Sequence, residues 1–171
     1  MRALRVPGAL LGPAALAALV GLGACIDPIQ QRNVEDLGGE TDGIRPGPRH
    51  RAGQPCLVCH NGEGLGGPPH FSVAGTVYAQ DGSTQGAQGV TVTMTDAKNK
   101  TVVKTTNDVG NFYVQFSEWD PAFPLKVKIG QGTLTQEMQS VVGGTGSCAD
   151  CHKGTKGSTS SMPAVYLKDA P

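Results

Sequence analysis

Aromatic residues are scarce in this 171-residue chain, at 5% with a single tryptophan, and no cluster of them offers a stacking surface for sugar or protein. Charge of one sign is missing too. Fourteen Lys and Arg balance fourteen Asp and Glu, and no stretch is strongly basic, which argues against a nucleic-acid partner. Hydrophobic residues reach only 38% beside 25 glycines, so turns and short strands are expected, and no pattern supports a helix longer than two turns. An unbroken membrane-spanning run is also lacking. The apolar start of the chain is interrupted by Pro7, Pro13 and several glycines.

What the chain does have is five cysteines, four of them in two copies of one pentad: Cys56-Leu-Val-Cys59-His60 and Cys148-Ala-Asp-Cys151-His152. Cys-x-x-Cys-His is the attachment signal for c-type haem. Two thiols at this spacing can form thioethers with the two vinyl groups, and the adjacent histidine is carried under the ring, where its imidazole can bond to iron. Two copies imply two covalently held haems, attached through Cys56, Cys59, Cys148 and Cys151. His60 and His152 are then the proximal iron ligands, and electron transfer rather than enzyme catalysis is the expected function.

The fifth cysteine accounts for location. Met1, Arg2 and Arg5 open an apolar run that closes on Leu22-Gly23-Ala24-Cys25. Residues 1–24 resemble an export signal, and their ending resembles the lipobox of bacterial lipoproteins, in which the cysteine is lipidated. An ordinary cleaved signal peptide is the alternative. The resemblance implies export and a lipid anchor at Cys25 on the bacterial envelope. Ile26, with Asp27 one place too late for a retention signal, implies sorting to the outer membrane. Export also matches the pentads, because c-type attachment occurs outside the cytoplasm, and it leaves no idle thiol in an oxidising compartment.

About 147 residues remain after the leader, enough for one modest domain with appendages. Residues 25–54, with Pro28, Gly38, Gly39, Gly43, Pro46, Gly47 and Pro48, read as a flexible tether spanning roughly 30 Å. Residues 55–171 read as the folded domain, with haem-binding loops at 55–70 and 146–162 around a core at 71–142. Strands are expected at 71–78, 90–95, 101–106, 111–116, 124–129, 133–142 and 163–168, with turns at Asp81-Gly82 and Asn107–Gly110. Within 90–95, Val90, Val92 and Met94 alternate with threonines. The expected fold is all-β, an antiparallel Greek-key β-sandwich of about seven strands.

The stretch VAGTVYAQDGSTQGAQGVTVTMTD followed by TTNDVGNFYV resembles the carboxypeptidase regulatory-like, transthyretin-like β-sandwich over about 70 residues. That family has a G-x-V strand, a G-V-x-V strand after a turn, and a T-x-x-x-G-x-F/Y segment. The resemblance implies a fold and no activity. Taken whole, the chain resembles dihaem c-type cytochrome lipoproteins of bacteria with extracellular electron-transfer chains, which implies redox proteins as partners.

Two open iron positions face two spare histidines, His50 and His70, so two bis-histidine haems of low potential are expected. Met162, before Pro163 and ten residues after His152, is a competing ligand that would raise the second potential. Met94 and Met138 have strand spacing and are read as packing residues. With Cys148 lying 92 positions after Cys56, an even number of strands would bring both haems to one end of the sandwich. Trp119 is read as packing on the sandwich edge. Three rivals stand beside this reading. One is a structural protein holding zinc by its two cysteine pairs, or closing each pair as a disulfide. Another is a haem peroxidase or gas sensor with one open iron, where only Glu63 and Asp150 are at hand as acid or base. The last is a sugar- or protein-docking sandwich.

Overall fold

The computed structural model describes residues 27–40, 42–63, 66–154 and 160–167; the expected leader, Cys25 and residues 168–171 lie outside them. Among the described residues strands predominate, mostly in antiparallel sheets, with three short helices. The helices are α1 (Pro28–Glu35), α2 (Leu57–His60) and α3 (Cys148–Cys151). The strands are β1 (Phe71–Thr76), β2 (Thr91–Thr95), β3 (Thr101–Thr105), β4 (Asn111–Gln115), β5 (Lys126–Gln131), β6 (Leu134–Glu137), β7 (His152–Gly154) and β8 (Met162–Pro163). β3-β2-β5-β6 form one antiparallel sheet, β1 and β4 an antiparallel pair, and β7 and β8 a short parallel pair. No helix among the described residues is long and apolar enough to cross a membrane.

Side-chain alternation explains the larger sheet. Val92 and Met94 are fully buried while Thr91 is exposed, and register sets Val92 opposite Ile129 and Met94 opposite Val127. Lys126 and Lys128 fall on the solvent face of β5. Val73, Phe112 and Val114 from the β1–β4 pair meet Val92, Met94 and Ile129 in one core, closed by Leu125, Leu167 and Trp119. Each such aliphatic side chain contributes about 1.5–3 kcal/mol by leaving water. Trp119 is 2% exposed and donates its indole N–H to Asp96 Oδ2 at 3.3 Å, so it is a core residue.

Besides Trp119, expected on the sandwich edge, and the strand expected at 133–142, which is cut to β6, the structure departs from the sequence reading in two larger places. Residues 27–54 are not an unpatterned coil. Asp27 accepts a hydrogen bond from the Ile29 amide and caps α1, with Pro28 in the first turn, where its missing N–H costs nothing. The end of this stretch is fastened to the β3–β4 turn. Asn107 donates to Pro48 O at 2.7 Å, Asn111 donates to the carbonyls of Pro48 and His50, and Arg49 pairs with Asp108 at 2.9 Å. Gly110, at φ 81°, makes that turn possible; a Cβ there would lie 2.2 Å from Val77 O. The second departure is at the end of the chain, where the strand expected at 163–168 shrinks to β8 and a single bridge between Tyr78 and Tyr166. Pro163 has no N–H to offer a longer ladder.

β1 is buried along its whole length, on both faces. One face contributes Val73 to the core. The other carries small residues, and both helices that hold the cysteine pentads pack on this strand.

Candidate functional site

Each pentad is wound into a single helical turn. In the first, the amides of Cys59 and His60 both bond to Cys56 O, at 3.2 and 3.0 Å, so the two cysteines and the histidine project from neighbouring positions. In the second, α3 follows Ser147, and the His152 amide returns to Cys148 O. Segment 145–147 runs beside β1 on the edge away from β4. Ser147 bridges Ala74, and the Ala74 amide bonds to Gly146 O at 3.0 Å. Gly75 then lets Cys148 come against the strand.

Two clefts open to solvent flank the β1–β4 pair, of about 290 and 210 Å³, a little below the ordinary range for small-molecule sites. The first is bounded by His50, Cys56, His60, Phe71, Phe112 and Tyr113. The second is bounded by Cys148, His152, Phe112, Ile129, Met138 and Pro163 among others. Register shows how one pair serves both. Ala74 opposes Tyr113 and Thr76 opposes Asn111 on the outer face, where an irregularity between Phe71 and Val73 also turns Phe71 outward onto Tyr113. Gly75 opposes Phe112 on the core side. Phe112 lines both clefts, so they lie back to back across one strand pair.

The histidines of the two pentads are held alike. His60 Nδ1 lies 2.9 Å from Pro69 O, and His152 Nδ1 lies 2.7 Å from Pro163 O. A carbonyl can only accept, so each Nδ1 must carry the proton and each Nε2 keeps its lone pair. This is the arrangement that orients an imidazole as a metal ligand. It arises twice, from unrelated loops.

Of the spare ligands read from the sequence, the structure brings His50 to the first cleft. Its ring centroid is 5.9 Å from that of His60, with 29° between the planes. The Gly47 amide donates to His50 Nδ1 at 2.9 Å, which puts the proton of neutral His50 on Nε2, so ligation through Nε2 would replace that bond. His70 is not in the lining of either cleft; its ring lies beside Gly62 and its carbonyl accepts from the Phe116 amide. Met162 is 52% exposed and also outside the linings. Glu63 is exposed at the end of a turn, and Asp150 is exposed on α3.

All four described cysteines are free thiols. Burial pushes the Cys56 thiol up to about 11, and burial aided by neighbouring Cys56 pushes Cys148 up to about 12. Burial also raises Cys59, against the pull of Arg51. Among the described residues no three His, Cys, Asp or Glu side chains converge on a common point, so the two cysteine pairs are not assembled as the ligands of one tetrahedral zinc. The sequence reading missed Phe112, the two proline carbonyls and Met138. Only the place of Pro69 and Pro163, nine and eleven residues after their histidines, hints at the carbonyls.

No family model matches the chain, and no curated protein or solved structure is significantly similar to it. The arrangement sets at each of two adjacent apolar clefts one lining thiol, Cys56 or Cys148, and an imidazole with a free lone pair, while the second cysteine of each pentad, Cys59 or Cys151, lies outside the lining.

Proposed function

We propose that this chain is an electron-transfer protein carrying two covalently attached c-type haems, held by lipid at Cys25 to the bacterial envelope, at the outer membrane, and exchanging electrons with redox partner proteins there. The observation that carries the reading is the matched pair of Nδ1-to-proline-carbonyl contacts at His60 and His152, each beside a cysteine pair and an apolar cleft. When bound, haem supplies an iron that cycles between ferric and ferrous states.

The residues divide the remaining work. Cys56 with Cys59, and Cys148 with Cys151, would hold the haems as thioethers, each S–H adding across a vinyl group with sulfur on one carbon and hydrogen on the other, so that no oxidant is needed. His60 and His152 offer Nε2 to iron. Phe71, Phe112 and Tyr113 wall the first cleft from water, and Val92, Phe112 and Ile129 wall the second. Phe112 is the partition an electron would cross between them. His50, whose ring stacks near that of His60, would be the second histidine available to the first haem. Around the sites, the 4-stranded sheet, the β1–β4 pair and the short β7–β8 pair are in keeping with a Greek-key sandwich of about seven strands like the carboxypeptidase regulatory-like fold.

The test is the visible spectrum of the full chain made in a host with working c-type maturation machinery. A sharp thioether-haem α-band that carbon monoxide leaves unchanged supports six-coordinate irons and electron transfer. A colourless protein containing zinc refutes the proposal, and a spectrum altered by carbon monoxide moves it to the catalytic or sensing class.

A further inference from the structure

The second cleft has no second histidine. His50 borders the first cleft, and His70 borders neither. One wall of the second cleft comes from α3, β7 and β8, and bears Cys148, His152 and Pro163; the other comes from β5 and β6, and includes Met138.

Register fixes which way Met138 points. Ile129 opposes Gln136, and the ladder runs on past β6, where the Met138 amide bonds to Val127 O at 3.0 Å. Val127 and Ile129 both border the cleft, so the two-residue period sets Gln136 and Met138 on that same face. Gln136 already spends its amide on Leu167 O. Met138 is half-buried on the cleft face. The other two candidates differ in kind. Met94 is fully enclosed in the core, and Met162 stands 52% exposed outside the cleft. A thioether half-sheltered in an apolar cleft is the one soft donor besides Cys148 among the described lining residues.

Resting on the two-haem reading above, we infer that Met138 is the axial ligand opposite His152. The two irons are then unequal: bis-histidine in the first cleft, and His/Met in the second at a higher potential. Electrons entering at the first haem settle on the second, and Phe112 lies on the way.

The experiment compares the full-length holoprotein with Met138→Leu, Met138→Ala and Met162→Ala. The readouts are haem content, the red-region sulfur-to-iron charge-transfer band of the ferric protein, and the two midpoint potentials. The expected wild-type protein has two haems, the band and two separated potentials. Met138→Leu, which nearly preserves volume, should keep both haems, lose the band and shift only the higher potential downward, and Met162→Ala should change nothing. An absent band in a wild-type protein with two haems overturns the ligand while leaving the two-haem reading intact. A band that persists in Met138→Leu, or vanishes in Met162→Ala, overturns it equally. A wild-type protein without bound haem overturns both.

Discussion

Replacing Gly75 with alanine places a methyl group where no space is left. The new Cβ would sit 2.8 Å from Cys148 Cβ, 2.9 Å from Cys148 Sγ and 3.1 Å from Phe112 Cε1. Neither neighbour can retreat easily: Cys148 starts α3, whose approach is pinned by the Ala74 amide bond to Gly146 O, and Phe112 is 5% exposed in the core. Overpacking of this kind costs about 1–3 kcal/mol, a drop in melting temperature of roughly 3–10 °C for a domain of this size. The displaced side chains are the second attachment thiol and the wall between the clefts, so loading of the second pentad should fall while the first stays filled. The assay is thermal melting followed by circular dichroism, with haem per chain measured on the same samples. Gly144→Ala, where a Cβ meets nothing within 4 Å, is the control and should match wild type. A Gly75→Ala protein with wild-type melting and full loading would refute the close approach of Cys148 to β1.

Replacing His50 with alanine should leave one haem with an open position, detected as carbon monoxide binding to half of the iron, whereas His70→Ala should leave the spectrum unchanged; the reverse result would move the ligand to His70. In haem-free protein, thiols raised by burial from the ordinary value of 9.0 to about 11 and 12 hold their protons after the unfolded chain has released them. Stability from this source is complete below pH 9 and is lost as pH climbs toward 11 for Cys56 and 12 for Cys148, by up to about 1.4 kcal/mol per pH unit for each thiol. Urea titrations between pH 8 and 11 measure this, and the slope should shrink in a Cys56→Ser, Cys148→Ser double variant, leaving the part owed to Cys59 and Tyr78, whose burial acts in the same direction.

The parts of the fold that were legible in the sequence are those set by local pattern. The Val92 and Met94 alternation gives β2, and Asn107–Gly110 gives the turn, because two-residue periodicity and turn chemistry act over a few positions. The pentads are contiguous and so stand out in the sequence, and each winds into one helical turn. Contacts between distant segments were not legible. Nothing in Pro48-Arg49-His50 announces that Asn107, Asp108 and Asn111 will hold it, so His50 looked like part of a loose tether. The place of Met138 depends on where β6 pairs, which sequence spacing alone leaves open. β1 offers one retrospective sign: Ser72, Ala74 and Thr76 are all small, as a strand needs when another backbone comes against it, and a Cβ at Gly146 would lie 2.0 Å from Ser72 O.

The most direct measurement is the intact mass of the purified full-length chain under denaturing conditions, followed by mapping of its peptides. The account predicts added mass for two haems that survives denaturation, one on the peptide holding Cys56 and Cys59 and one on that holding Cys148 and Cys151. A bare polypeptide mass, from cells that attach haem to a known c-type protein made beside it, would contradict it.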